Sequence, residues 1–129
     1  MDSGLGALTR YKMFIGGEWV DSVSGETFES FDPYTAEPWA VLPKGNEGDV
    51  NLAVDAADRA FNEGEWPSLT ATARGHMIRN FADLISEKAE ELAEIEVRDN
   101  GKLIAEMSAQ CKYLTQWYYY YAGLCDKIE

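Results

Sequence analysis

The stretch AEMSAQCKYLTQWYYYYAGLCDKIE, residues 105 to 129, carries Met107, Cys111, Leu114, Tyr118, Tyr121, Cys125 and Ile128 at steps of four and three. That spacing puts them on one side of a helix. The run Trp117-Tyr118-Tyr119-Tyr120-Tyr121 spreads aromatic surface over more than one face, so the helix needs further protein to pack against. It reaches residue 129 with no Gly or Asn cap and no Pro stop. The expectation is the front portion of a larger protein, cut inside its own structure.

Upstream of this helix the pattern changes period. Tyr11 to Ile15, Gly16-Gly17 and Glu18-Trp19-Val20 form a hairpin signal, because paired glycines suit the primed two-residue turns. Ser24-Gly25 marks a second turn, and Thr27 to Phe31 a second extended run, which Asp32-Pro33 ends by removing a ladder donor. Trp39 to Leu42 is a third run, closed by Pro43 and Gly45. From Asn46 the period becomes 3.6, and Asn46 with Asp49 has the layout of a capping box. Val50, Ala53, Val54, Ala57, Ala60 and Phe61 make one face of this helix, which Gly64 and Pro67 end. A second helical stretch starts near Thr70, is expected to bury Met77, Ile78, Phe81, Leu84, Ile85, Leu92 and Ile95, and stops at Asn100-Gly101. Ser86 is a point where it could divide in two.

The result is an α+β segment, with a hairpin and strands over residues 11–45 followed by three to four helices over 46–129, and residues 1–10 expected to be disordered. With 129 residues, 46% hydrophobic and 26% charged, the chain is at most one ordinary globular domain. Its 11 basic and 23 acidic residues give a net charge of −12, which argues against nucleic acid and against an anionic membrane surface. Residues 1–4, Met-Asp-Ser-Gly, do not begin a secretory signal, and Cys111 and Cys125 lack framework spacing, so a cytoplasmic setting is expected.

Chemical motifs are sparse. Gly4-Leu5-Gly6 lacks the third glycine of a dinucleotide fingerprint, and Glu96, Arg98 and Met107 stand where a calcium loop would need its ligands. His76, between Arg74 and Arg79, reads as a solvated helix position. Cys111 and Cys125 fall on the apolar stripe and read as structural thiols. Glu90, Glu91, Glu94 and Glu96, interleaved with Lys88 and Arg98, read as a wet helix face laced by ion pairs.

In order along the chain, Phe14-Ile15-Gly16-Gly17-Glu18-Trp19-Val20, Thr27-Phe28, Asp32-Pro33, Asp49-Val50, Ala56 to Phe61, Trp66-Pro67, Arg74-Gly75, Glu91-Leu92-Ala93, Asp99-Asn100-Gly101-Lys102 and Tyr120 to Gly123 resemble the N-terminal portion of the aldehyde dehydrogenase superfamily. Their collinearity from residue 11 to 129 carries the resemblance; Asp32 stands where the family usually has Asn. The resemblance implies a piece of an α/β Rossmann-like fold that ends before the coenzyme-binding core and the catalytic domain. It implies a parent that oxidises an aldehyde to a carboxylic acid with NAD or NADP, through a cysteine thiolate, oxyanion-holding amides and a glutamate base that all lie beyond residue 129. This segment alone would then be inactive, with no catalytic and no cofactor-binding residue of its own. The alternative is a non-catalytic helical interaction domain derived from the same scaffold.

Two groups of positions come with the resemblance. Ser30, Phe31 and Asp99 match the family's ligands for a monovalent cation, K+ or Na+. Ala109, Tyr113, Leu114 and Trp117 match positions on the wall of the substrate entrance; of these, Ala109, Tyr113 and Trp117 are spaced by four and so stack along one side of the helix. The parent is expected to be a homo-oligomer that takes a small-molecule aldehyde.

Overall fold

The structure, a computed structural model, describes residues 8–127. They divide into two units between Gly64 and Glu65.

The first unit holds β1 (Thr9–Arg10), β2 (Met13–Ile15), β3 (Glu18–Val20), β4 (Thr27–Phe31), β5 (Pro38–Pro43) and helix α1 (Glu47–Asn62). β2 and β3 form the expected antiparallel hairpin, with Phe14 opposite Trp19 and their rings 5.0 Å apart. Gly16 and Gly17 turn it at φ of 62° and 88°, a conformation that costs other residues a Cβ clash. β5 lies between β1 and β4, parallel to the first and antiparallel to the second. Residues 1–7 of the expected disordered N-terminus lie outside the described residues, but Thr9 and Arg10 correct its end: they pair with Ala40 and Val41. Edge pairing to a buried strand orders two residues that carry no apolar pattern of their own.

The capping box at the start of α1 is realised with aspartate. Asn46 Oδ1 accepts from Gly48 N at 2.8 Å and Asp49 N at 3.2 Å, while Asp49 Oδ2 accepts from Asn46 N at 2.9 Å. Asp49 also accepts from Ser22 Oγ at 2.7 Å and Val23 N at 2.8 Å, and it is the buried residue of α1. The Ser22 hydroxyl first, then the Val23 and Asn46 amides, hold its carboxyl below the ordinary value of 3.8. The apolar face of α1 is largely uncovered: Val50, Val54 and Phe61 are exposed. What α1 buries against its own unit is the side carrying Asp49, with Ala56 beside Gly16.

The second unit is a 3₁₀ turn (Trp66–Ser68) followed by α2 (Ala71–Glu87), α3 (Ala89–Asn100) and α4 (Ile104–Leu124). Thr70 caps α2 through Ala73 N, and Gly101, at φ 76°, ends α3. The break between α2 and α3 falls at Lys88 rather than Ser86. α2 and α4 run antiparallel, for Gly75 lies by Ala122, Phe81 by Tyr118 and Asp83 by Tyr119.

This packing uses small residues where the sequence pattern favoured large ones. Gly75, Ala82, Ile85, Ala89 and Ala93 are buried, whereas Met77, Phe81, Leu84 and Leu92, expected inside, are exposed. On α4 the buried positions are Met107, Thr115 and Ala122, with Cys111, Tyr118 and Cys125 half-buried. Leu114 and Tyr121, expected on that stripe, face outward instead. The cause is distance: a Cβ built on Gly75 would sit 2.8 Å from the Ala122 carbonyl oxygen, so bulk cannot enter the seam. The Thr115 hydroxyl is tolerated there because it donates to the Lys112 carbonyl at 2.9 Å.

Two measurements check this reading. Gly75→Val should destabilise the second unit by about 1–3 kcal/mol in urea denaturation, by overpacking; a neutral effect would mean the helices do not meet at Gly75. Because the folded pKa of Asp49 lies below its unfolded value, its contribution is present above that value and is lost as pH falls through the folded pKa. Thermal melts by circular dichroism should therefore show Asp49→Asn less stable than wild type near neutrality, with the gap narrowing below about pH 4. An unchanging gap down to strong acid would sink the assignment.

Candidate functional site

Helix α4 supplies the candidate site. Its buried stripe turns toward α2 and α3, which forces the opposite face outward, and that face carries Ala109, Tyr113, Trp117 and Tyr120. Tyr113 is 61% exposed and Trp117 54% exposed, so neither is spent on the core of its own unit. Their rings meet edge to face, with centroids 6.1 Å apart and an interplanar angle of 85°. One turn of helix sets this contact, and it limits how either ring can rotate.

Ala109, Gln110, Tyr113, Leu114 and Trp117 line an open groove of about 530 Å³. The four positions singled out by resemblance thus share one concave surface. A second hollow, of about 460 Å³, adds Gln116, Tyr119 and Tyr120 beside Tyr113 and Trp117. Gln110, Gln116 and Tyr120 were not singled out from sequence. Tyr120 lies seven residues beyond Tyr113 and three beyond Trp117, so a helical face traced at steps of four and three would have included it.

The groove side chains are neutral: aromatic rings, one Leu, one Ala and amides that donate and accept hydrogen bonds. Charge sits to one side. Glu90 accepts from Ser108 Oγ at 3.0 Å and pairs with Lys112 at 2.5 Å; Lys112 first, then Ser108, lower its pKa. Tyr119 donates to Asp83 Oδ1 at 2.5 Å, and this bond to the neutral phenol raises the Tyr119 pKa above 10.0.

Ser30 and Phe31 close β4 in the first unit, where the pairing with β5 is irregular, and Asp99 lies at the end of α3 in the second. His76 is exposed on α2. Cys111 is half-buried on α4, and Cys125, also half-buried, lies at its C-terminal end with its thiol directed to the Tyr121 carbonyl at 3.5 Å. Fourteen positions of continuous helix separate the two sulfurs by about 21 Å at the usual rise, far beyond disulfide reach. Mild oxidation followed by peptide mapping should give no intrachain Cys111–Cys125 link; finding one would mean α4 is broken.

The comparisons with known proteins agree on one family. The model of the aldehyde dehydrogenase family matches residues 19–129. Aldehyde dehydrogenase 1 of Tanacetum cinerariifolium is 48% identical over 120 residues, 92% of this chain and 24% of its own length. The (Z)-2-((N-methylformamido)methylene)-5-hydroxybutyrolactone dehydrogenase of Acinetobacter baylyi is 42% identical over 122 residues, 95% of this chain and 25% of its own. Among solved structures, an NAD-dependent aldehyde dehydrogenase from Sinorhizobium meliloti superposes with a TM-score of 0.91 at 34% identity, over 99% of this chain and 26% of that one. The chain therefore spans about a quarter of the length of the relatives it matches.

Proposed function

The chain belongs to the aldehyde dehydrogenase family, and we propose that it forms the N-terminal portion of an NAD-dependent enzyme that oxidises an aldehyde to its carboxylic acid. In this reading the nucleophile, the base and the dinucleotide site belong to the three quarters of the relatives' length that the chain does not span. NAD would accept the hydride there. The residues described here supply shape. The observation that carries the assignment is the outward face of α4, where Ala109, Tyr113, Leu114 and Trp117 share one groove within a unit whose own core they do not serve.

That face would form one wall of the passage by which substrate enters. Such a wall acts through apolar contact and exclusion of water, with few polar groups to orient the ligand. The edge-to-face contact of Tyr113 with Trp117 presents a stiff surface, which discriminates by size and shape better than a mobile one. Neutral aromatic or apolar aldehydes suit it best. We further propose a cytoplasmic homo-oligomer as the working form, the compartment on the absence of framework spacing between Cys111 and Cys125 and the assembly on the family resemblance.

The test is substrate preference in the whole enzyme. Trp117→Ala should change the ratio of kcat/KM between a bulky aromatic aldehyde and a short aliphatic one by about tenfold, the scale set by losing part of a hydrophobic pocket. The affinity for NAD should stay nearly constant, because this residue touches only the entering aldehyde. An unchanged ratio, or an equal loss for every aldehyde, would remove Trp117 from the passage.

A further inference from the structure

Tyr113 and Trp117 line both hollows on α4, so the ring pair is a ridge between them. Helical geometry sets what stands on each flank: at about 100° per residue, Leu114 and Gln116 project roughly 80° to either side of the midline of that ridge. The flanks differ in chemistry. Beside Leu114 stand Ala109 and the Gln110 amide; beside Gln116 stand the phenols of Tyr119 and Tyr120. The Tyr119 hydroxyl is committed, because it donates to Asp83. Among the described residues the Gln116 amide and the Tyr120 hydroxyl make no hydrogen bond, and both side chains are exposed. The Tyr120 ring rests against Tyr121, with centroids 5.3 Å apart at 84°, which limits where its hydroxyl points.

We infer that the flank of Gln116 and Tyr120 recognises a neutral hydroxyl group at the end of the aldehyde remote from its carbonyl, on a substrate whose apolar body lies along the Tyr113–Trp117 ridge. The inference deepens the reading of α4 as a wall of the substrate entrance and rests on it. An amide and a phenol each donate and accept, as an alcohol does, so every hydrogen-bonding direction of the substituent finds a partner. None of the described residues lining this hollow is charged, so nothing in it would pair a carboxylate or an ammonium group. The net charge of −12 further disfavours an anionic substrate. In an open hollow these hydrogen bonds replace bonds to water, which makes the preference modest in size.

Two aldehydes of one shape test this in the protein at the length its own gene encodes: para-hydroxymethylbenzaldehyde and para-ethylbenzaldehyde, which exchange a hydroxyl for a methyl. The ratio of kcat/KM for the first over the second should fall about three- to tenfold in Gln116→Leu and again in Tyr120→Phe. It should hold its wild-type value in Gln110→Leu, on the other flank. Tyr120→Phe removes one oxygen and keeps the ring, so loss of the fold does not imitate the effect. A ratio unchanged in either variant, or an equal fall in Gln110→Leu, would overturn the inference. Ligand-observed NMR on the same proteins reads the ratio of the two Kd values without turnover, and the same falls are expected there. Hydroxyl preference without NADH formation would remove the enzyme and keep the recognition site; NADH formation without that preference would do the reverse.

Discussion

The approach of α2 to α4 at Gly75 governs the second unit. At that point a Cβ on residue 75 would sit 2.8 Å from the Ala122 carbonyl oxygen, so the two helices approach too closely for any larger side chain there. Once this contact exists, the rotation of α4 about its axis is settled. Thr115 and Ala122 must point inward, and the aromatic residues between them must point elsewhere. The groove on α4 and the exposure of Phe81 are both consequences of a seam too narrow for bulk.

This arrangement reverses the usual assignment of large residues to the core. Among the described residues no large side chain is fully buried; the innermost positions are Ala40, Ala82 and Ala93. Most rings and branched chains, Trp39 and Ile85 excepted, lie at the surface of their own units, where they are free to meet other protein or a ligand. Cohesion inside the units comes from close backbone contact and from hydrogen bonds such as those of Asp49 and Thr115. The chain thereby offers broad apolar surface on a frame in which Asn46 and Thr70 cap the starts of α1 and α2 and Gly101 ends α3.

Local signals were readable from sequence and packing was not. Gly16-Gly17, Asn46 with Asp49, Thr70 and Gly101 each act on backbone within a few residues, and each occurs where the pattern placed it. Leu114 and Tyr121 failed because hydrophobic periodicity ranks positions by apolarity, while a close helix seam selects by size; Thr115 and Ala122 lie one residue away and won on that ground. Met77, Phe81 and Leu84 failed for the same reason against Gly75 and Ala82, whereas Ile85 is buried where the pattern placed it. Thr9 and Arg10 had no pattern at all, since their order comes from the β5 edge. At the site, the stack of Ala109, Tyr113 and Trp117 was legible from spacing of four. Ser30, Phe31 and Asp99 owe their selection to resemblance alone, because a carbonyl ligand leaves no mark in the side chain.

Asp49 has a consequence for how the first unit assembles. Its carboxylate joins the start of α1 to Ser22 and Val23, 27 and 26 residues earlier in the chain. Neither partner is fully satisfied locally: the Val23 amide lacks this acceptor until the helix begins, and the buried acid has only the Asn46 amide as a donor until the turn closes. Closing so long a loop costs entropy that grows only slowly with length, and the two long-range bonds to one group are made or lost together. The turn and the helix start should therefore open as one cooperative event, with their amides exchanging hydrogen on a common timescale although α1 and the sheet are separate elements.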